Sequence, residues 1–164
     1  MTRPKRSYMN PDAMGSMYHC PPGWYGLLDE FCDLIERVQR HRDNPLMIDV
    51  WKDFKVVQVK EKFWRLVIYV EGVPEEHRAY VESLQTLTRV KSAHTCMYCG
   101  GPTEPQTQEA RPFPGHTEPR LIELPVLCSD ECNADYDAWR DELRKKWFSK
   151  RETQGPMTFK FRNG

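Results

Sequence analysis

Two short stretches, TCMYCG at residues 95–100 and LCSDEC at residues 127–132, decide how this sequence folds. Their cysteines form a Cys-x2-Cys pair and a Cys-x3-Cys pair, separated by 28 residues: Cys96, Cys99, Cys128 and Cys132. Two close pairs of thiolates supply the four sulfur ligands that a tetrahedral structural zinc site requires. We therefore predict one structural zinc ion bound by these cysteines. Two disulfides or four free thiols are the alternatives.

The residues around the two pairs predict how each pair is held. Gly100 follows the first pair and suits the tight backbone of a knuckle. Ser129 is placed to cap a helix, with Asp130 and Glu131 in its first turn. A knuckle followed by a pair at the start of a helix is the treble-clef arrangement. Four sulfur ligands leave no coordination position for water, so the pattern favours a structural ion over a catalytic one.

Composition limits the classes of function. The 164 residues suffice for one domain with tails, and seven Phe, seven Tyr and five Trp favour a folded chain. The formal net charge is zero, so the protein has no overall basic field for nucleic acid. The first residues, MTRPKR, do not resemble a secretory leader, and no apolar stretch has the length of a membrane span. We expect a reducing cytoplasm, where paired cysteines favour metal.

The order of patterns predicts an α+β fold, in which a small antiparallel sheet flanked by helices precedes a treble-clef-like zinc unit ending in a C-terminal helix. We divide the chain into a flexible tail (1–19), a helix-hairpin-helix core (20–92), a zinc-binding unit (93–149) and a basic tail (150–164). The polar, proline-rich segment 101–120 is predicted to be a long exposed loop.

Three helices and a strand pair are predicted from periodicity. A first helix starts near Trp24 with a buried stripe running from Leu27 to Val38, and residues 54–72 form two strands joined at the charged break Lys60-Glu61-Lys62. A second helix follows Pro74, with a predicted apolar stripe: Tyr80, Val81, Leu84, Leu87 and Val90. A third helix runs to about Ser149, with its own stripe: Tyr136, Trp139, Leu143 and Trp147.

These motifs resemble those of small proteins of bacteriophages and prophages across about residues 20–145. The shared features are Gly23-Trp24 opening a helix, the KEKF segment at residues 60–63, the TCxxCG knuckle and a second pair introduced by Leu-Cys. The resemblance implies a phage origin and zinc, and it implies no particular activity. Trp64 stands where these proteins have glycine, so we expect this turn to be built differently. The second pair resembles that of FCS-type fingers, which are protein-interaction modules.

No catalytic motif is present in the sequence. The five histidines are scattered singly, with no His-Asn-His pattern, and there is no glycine-rich phosphate loop. We therefore expect a non-enzymatic accessory protein, and the resemblance implies that it is phage-encoded and acts in the host cytoplasm, with the virion as the alternative. It would bind a host or phage macromolecule, in the first place a protein, as a host-takeover or counter-defence modulator.

Two alternatives stay open from the sequence. The first is a nucleic-acid-binding factor that uses the basic C-terminal helix and tail, where aromatic residues are interleaved with lysine and arginine. The second is a zinc-dependent nuclease. The candidate partner-binding residues come from the strand pair and from the C-terminal helix: Lys60, Lys62, Arg144, Lys145, Lys146, Lys150 and Arg151.

Overall fold

The computed structural model describes residues 20–40, 49–110, 112 and 120–154. The predicted tail 1–19 and most of the predicted tail 150–164 lie outside the described residues. The elements, in chain order, confirm the predicted α+β class: α1 Tyr25–Arg40, β1 Lys55–Lys62, β2 Arg65–Glu71, α2 Arg78–Ser92, β3 Thr107–Ala110, β4 Arg120–Glu123 and α3 Asp130–Gln154. No helix among these described elements combines the length and apolar character that crossing a membrane requires.

Helix α1 forms because its apolar residues recur every three or four positions. A short 3-10 turn, Pro22–Trp24, leads into it, and proline suits this entry because its missing N–H would be unpaired there. The stripe that packs inward is fully buried: Leu28, Phe31, Cys32 and Ile35. These side chains belong to one hydrophobic core that also contains Met97, Val126 and Tyr136 from the cysteine-rich half of the chain.

Strands β1 and β2 form an antiparallel hairpin with its turn at Phe63 and Trp64. The predicted turn at Lys60-Glu61-Lys62 is wrong, because Lys60 pairs with Val67 and the strand continues to Lys62. Lys60 and Lys62 fit inside the strand because they lie on the face opposite to that of the buried Val59, Leu66 and Ile68.

Helix α2 covers the outer edge of β2 with polar side chains. Ser92 Oγ accepts a hydrogen bond from the Leu66 N–H at 2.9 Å, and Gln85 Nε2 donates to the Ile68 carbonyl at 2.7 Å. These bonds satisfy backbone groups that an uncovered edge strand would expose. An ion pair between Lys91 and Glu30 also joins α2 to α1.

Docking on the strand edge rotates α2 away from the predicted stripe. The residues that it buries are Val81, Leu84, Thr88 and Ser92. Tyr80, Leu87 and Val90 are exposed, so the prediction that they face the core is wrong. The polar contacts of Ser92 and Gln85 determine the inward face of α2, and hydrophobic periodicity does not record such contacts.

The cysteine-rich half contains more regular structure than the sequence predicts. The predicted loop 101–120 contains β3, which pairs antiparallel with β4. This hairpin is mostly polar and exposed, so its sequence lacks the alternation of apolar and polar residues that predicts a strand. Helix α3 continues to Gln154, five residues beyond the predicted end, and so includes Lys150 and Arg151.

Candidate metal centre

The first cysteine pair lies on a tight knuckle. The Cys96 N–H donates to the Gly101 carbonyl at 2.8 Å, and the Gly100 N–H donates back to the Cys96 carbonyl at 3.0 Å. Gly100 has a φ of 78°, a left-handed conformation that glycine adopts without steric cost. The Gly101 N–H also donates to Cys99 Sγ at 3.3 Å. The backbone therefore aims both thiols to one side and stabilises negative charge on sulfur.

The second pair is carried by the start of α3. Ser129 caps this helix, as predicted, because its Oγ accepts a hydrogen bond from the Cys132 N–H at 3.2 Å. Cys128 stands just before the cap and Cys132 lies in the first turn. Tyr136, one turn further along, is buried in the core. The helix is thus anchored close to its cysteines.

The four thiols converge on one point. The Sγ atoms of Cys96, Cys99, Cys128 and Cys132 all lie within 4.8 Å of one another, and none forms a disulfide. Cys128 Sγ is 3.5 Å from both Cys99 Sγ and Cys132 Sγ. In a tetrahedron of sulfurs about 2.3 Å from a zinc ion, the sulfurs are about 3.8 Å apart. The cluster therefore has the donor set and dimensions to hold a metal ion.

The acidities of the thiols are set by this arrangement. Burial opposes ionisation of Cys96, but hydrogen bonds from backbone N–H groups, led by those of Cys99 and Tyr98, outweigh it and lower the pKa of Cys96 to about 7. Hydrogen bonds with the Cys132 and Cys99 side chains raise the pKa of Cys128 to about 12. Cysteines bind metal as thiolates, so a bound cation would displace the protons from the sulfurs that hold them.

The start of α1 packs directly against the knuckle. The Gly23 N–H donates to the Met97 carbonyl at 2.9 Å, and Trp24 Nε1 donates to the Thr95 carbonyl at 2.9 Å. A Cβ atom on Gly23 would lie 2.2 Å from the Cys96 oxygen and 2.6 Å from the Gly100 nitrogen. Only glycine fits this contact. The Gly23-Trp24 pair is visible in the sequence, but its role in holding the knuckle is not.

Other candidate ligands lie outside the cluster. His94 Nδ1 is 3.3 Å from Glu104 Oε2, which gives this histidine a carboxylate partner. Cys20 is buried and its Sγ donates to the Pro21 carbonyl at 3.5 Å. Among the residues that the structure describes, the four cysteines are the one group of three or more Cys, His, Asp or Glu side chains close enough to hold a metal.

An open cleft of about 650 Å³ lies beside the second pair. Its walls are mainly apolar and amide side chains, and its lining includes Cys128 and Ser129 at the helix start. Among the described residues that line it, Asp130 is the one carboxylate. General acid–base chemistry commonly uses a second titratable group beside the first, and the described lining supplies no second carboxylate or histidine.

The predicted partner-binding residues fall into two places. Lys60 and Lys62 lie on the half-exposed face of the β1–β2 hairpin, where Lys60 Nζ stands 4.7 Å from the Tyr69 ring centroid. Lys62 Nζ stands 5.6 Å from the Phe63 ring centroid. The other candidates lie on α3: Arg144, Lys145, Lys146, Lys150 and Arg151.

Two of the α3 candidates have carboxylate partners on the same helix. Arg144 pairs with Asp141 at 3.3 Å, and Lys146 pairs with Glu142 at 2.7 Å. The hydrogen bond from Lys146 lowers the pKa of Glu142, which keeps this carboxylate charged. The positive charge of α3 is therefore partly neutralised within the helix.

No protein-family model, no curated protein and no solved structure matches this chain. The resemblance to bacteriophage and prophage proteins therefore stays a prediction. The fold and the cysteine cluster are the observations from which function has to be argued.

Proposed function

We propose that this chain is a non-enzymatic accessory protein that holds one structural zinc ion and acts by binding another protein. The observation that carries the proposal is the convergence of four cysteine Sγ atoms within 4.8 Å. Four thiolates complete a tetrahedral coordination sphere, so the ion has no free position at which to activate water.

Zinc is the ion that this donor set favours. Four sulfur donors in tetrahedral arrangement suit zinc or iron, and closed sites on a knuckle and a helix start are typical of structural zinc. The knuckle also holds Met97 in the core, where it is fully buried. Zinc binding would therefore stabilise the packing of the whole core, because a site assembled by folding contributes its binding free energy to folding.

The described residues offer little support for the nuclease alternative. A nuclease of this architecture would need a second set of ligands for its catalytic metal, and the described part of the chain places no such set together. The described lining of the cleft beside the cysteines includes a single carboxylate. Both observations favour a binding role over a catalytic one.

A protein is favoured over nucleic acid as the partner for two reasons. The α3 helix has ion pairs that offset the charge of Arg144 and Lys146, which weakens the basic surface of the nucleic-acid alternative. Phe63 is 71% exposed at the tip of the hairpin, where an apolar contact is available. The phage origin, the host cytoplasm and a host-takeover or counter-defence role belong to this proposal on the strength of the sequence resemblance alone.

The test is capture of a partner by the full zinc-loaded chain from host lysate, with and without nuclease treatment. We expect one protein to be retained at equal stoichiometry after nuclease treatment. A matched Cys99→Ala bait should lose this protein, because the fold depends on the metal. Recovery of nucleic acid alone, or metal-dependent cleavage of DNA or RNA by the chain, would contradict the proposal.

A further inference from the structure

The β1–β2 turn is built from residues that do not normally adopt its conformation. Phe63 and Trp64 have φ values of 51° and 56°. A two-residue hairpin turn with positive φ at both positions is usually formed by Asn-Gly or a similar pair, because a side chain with Cβ is strained there. Backbone strain of this kind persists only where the surroundings hold it, and it concentrates at functional sites.

Three hydrogen bonds hold this turn in place. The Trp64 N–H donates to Glu61 Oε1 at 2.7 Å, and Trp64 Nε1 donates to the Glu123 carbonyl at 2.8 Å. Arg65 also pairs with Glu123 Oε1 at 3.1 Å. The turn is therefore tied to strand β4, and the position of Trp64 is explained by these contacts.

These contacts do not explain why a phenylalanine occupies position 63. Its side chain is 71% exposed, so it contributes little to the core, and asparagine or glycine would relieve the backbone strain. A large aromatic residue on a firmly held turn loses little conformational freedom when it binds. Aromatic residues in this setting are typical centres of protein interfaces.

Positive charge lies beside this aromatic residue and further along the same strand face. Lys60 and Lys62 lie on the same strand face, near the Tyr69 and Phe63 rings respectively. Within the described part of the chain, neither ammonium group has a carboxylate in salt-bridge range, in contrast to Arg144 and Lys146 on α3. Glu61 is directed back to the Trp64 N–H and does not neutralise them by direct contact.

We propose that the exposed hairpin face, defined as Lys60, Lys62, Phe63 and Tyr69, is the docking surface for an acidic segment of the partner protein. An apolar side chain of that segment would cover Phe63, and flanking carboxylates would pair with Lys60 and Lys62. The reason for an acidic occupant is charge complementarity to these two ammonium groups, which have no carboxylate in salt-bridge range among the described residues. This inference rests on the proposed function, because it identifies the surface through which the chain binds a protein.

The experiment selects ligands from a yeast-displayed library of random 15-residue peptides, with the labelled full-length zinc-loaded chain as the probe. We expect enriched peptides that carry Phe, Trp or Leu flanked by Asp and Glu. The dissociation constants of the synthesised peptides are then compared between wild type and three variants: Phe63→Asn, the pair Lys60→Glu with Lys62→Glu, and the pair Lys52→Glu with Arg89→Glu. The last variant reverses the same number of charges at two exposed residues outside this surface and is the control.

Phe63→Asn should weaken peptide binding by at least about tenfold, as loss of an aromatic contact at an interface centre does. The melting temperature of this variant should equal or exceed that of the wild type, because asparagine tolerates the left-handed turn. Loss of binding cannot then be attributed to misfolding. The Lys60 and Lys62 pair should show a similar loss, and the control pair Lys52→Glu with Arg89→Glu should bind within about twofold of wild type.

Three results of the binding measurements would overturn the inference. They are selection of peptides without acidic residues, unchanged affinity of Phe63→Asn, and binding of a labelled oligo(dT)20 that the same substitutions abolish, which would assign the surface to nucleic acid. If the Phe63→Asn chain still captures the lysate partner, this inference fails while the proposed function stands. If the wild-type chain captures no protein, the proposed function itself fails.

Discussion

Replacement of Gly23 by alanine tests whether the start of α1 holds the cysteine knuckle. The new Cβ would lie 2.2 Å from the Cys96 oxygen and 2.6 Å from the Gly100 nitrogen, and both are backbone atoms that cannot rotate away. Either the knuckle or the start of α1 has to move. Such movement lengthens the hydrogen bond from the Gly23 N–H to the Met97 carbonyl, whose N···O distance is 2.9 Å in the structure.

The expected loss of stability is the sum of the overpacking and the weakened hydrogen bond. Overpacking of a closely packed contact costs about 1–3 kcal/mol, and loss of the hydrogen bond costs about 1 kcal/mol. The sum is about 2–4 kcal/mol in the free energy of unfolding. In a chain of this size it corresponds to a fall in melting temperature of about 5–15 °C. The assay is thermal and guanidinium unfolding of the zinc-loaded protein, followed by circular dichroism.

Gly26→Ala is the matched control. Gly26 lies three residues further along, inside α1, and a Cβ there would meet no atom within 4 Å. Alanine is a better helix former than glycine by about 1 kcal/mol, so this variant should be more stable than the wild type. We therefore predict that Gly23→Ala lowers the free energy of unfolding and that Gly26→Ala raises it. A Gly23→Ala protein as stable as the wild type would refute the account of this contact.

Two further substitutions test the core. Ser92→Ala removes the acceptor of the Leu66 N–H and leaves that buried donor without its side-chain partner. We expect the free energy of unfolding, measured in guanidinium, to fall by about 1–3 kcal/mol, and a fall smaller than about 0.5 kcal/mol would contradict the role of α2 in covering the strand edge. Burial raises the pKa of Tyr136 above its ordinary value. The neutral phenol therefore contributes its full stabilisation below about pH 10, and this contribution is lost as the pH rises through the raised pKa. Stability measured at about pH 8 and pH 11 should therefore fall more in wild type than in Tyr136→Phe, and equal falls would contradict burial of the phenol.

The cysteine cluster could be predicted from the sequence because its spacing is local information. Each pair fits one turn of backbone, and the chemistry of four thiolates then requires that the pairs meet. The start of α3 at Ser129 was predictable for the same reason, since a cap acts within three residues. The stripe of α1 was predictable because its burial is purely hydrophobic.

The remaining features depend on contacts between distant segments. The inward face of α2 depends on the bond between Ser92 and Leu66, 26 residues away, which hydrophobic periodicity does not record. The left-handed turn at Phe63 and Trp64 contradicts local preference and is held from Glu123 on β4. The contact of Gly23 with the knuckle joins positions more than 70 residues apart. None of these partners can be read from a local window of sequence.

Metal analysis of the purified full chain tests whether the four cysteines hold one structural zinc ion. Elemental analysis by mass spectrometry after extensive dialysis should find about one zinc per chain, and cobalt substitution should give the visible absorption of a tetrahedral sulfur site. Cys99→Ala should hold less metal and unfold at lower temperature, because the binding free energy contributes to folding. A metal-free wild-type chain whose melting temperature is unchanged by zinc or by chelator would contradict the account.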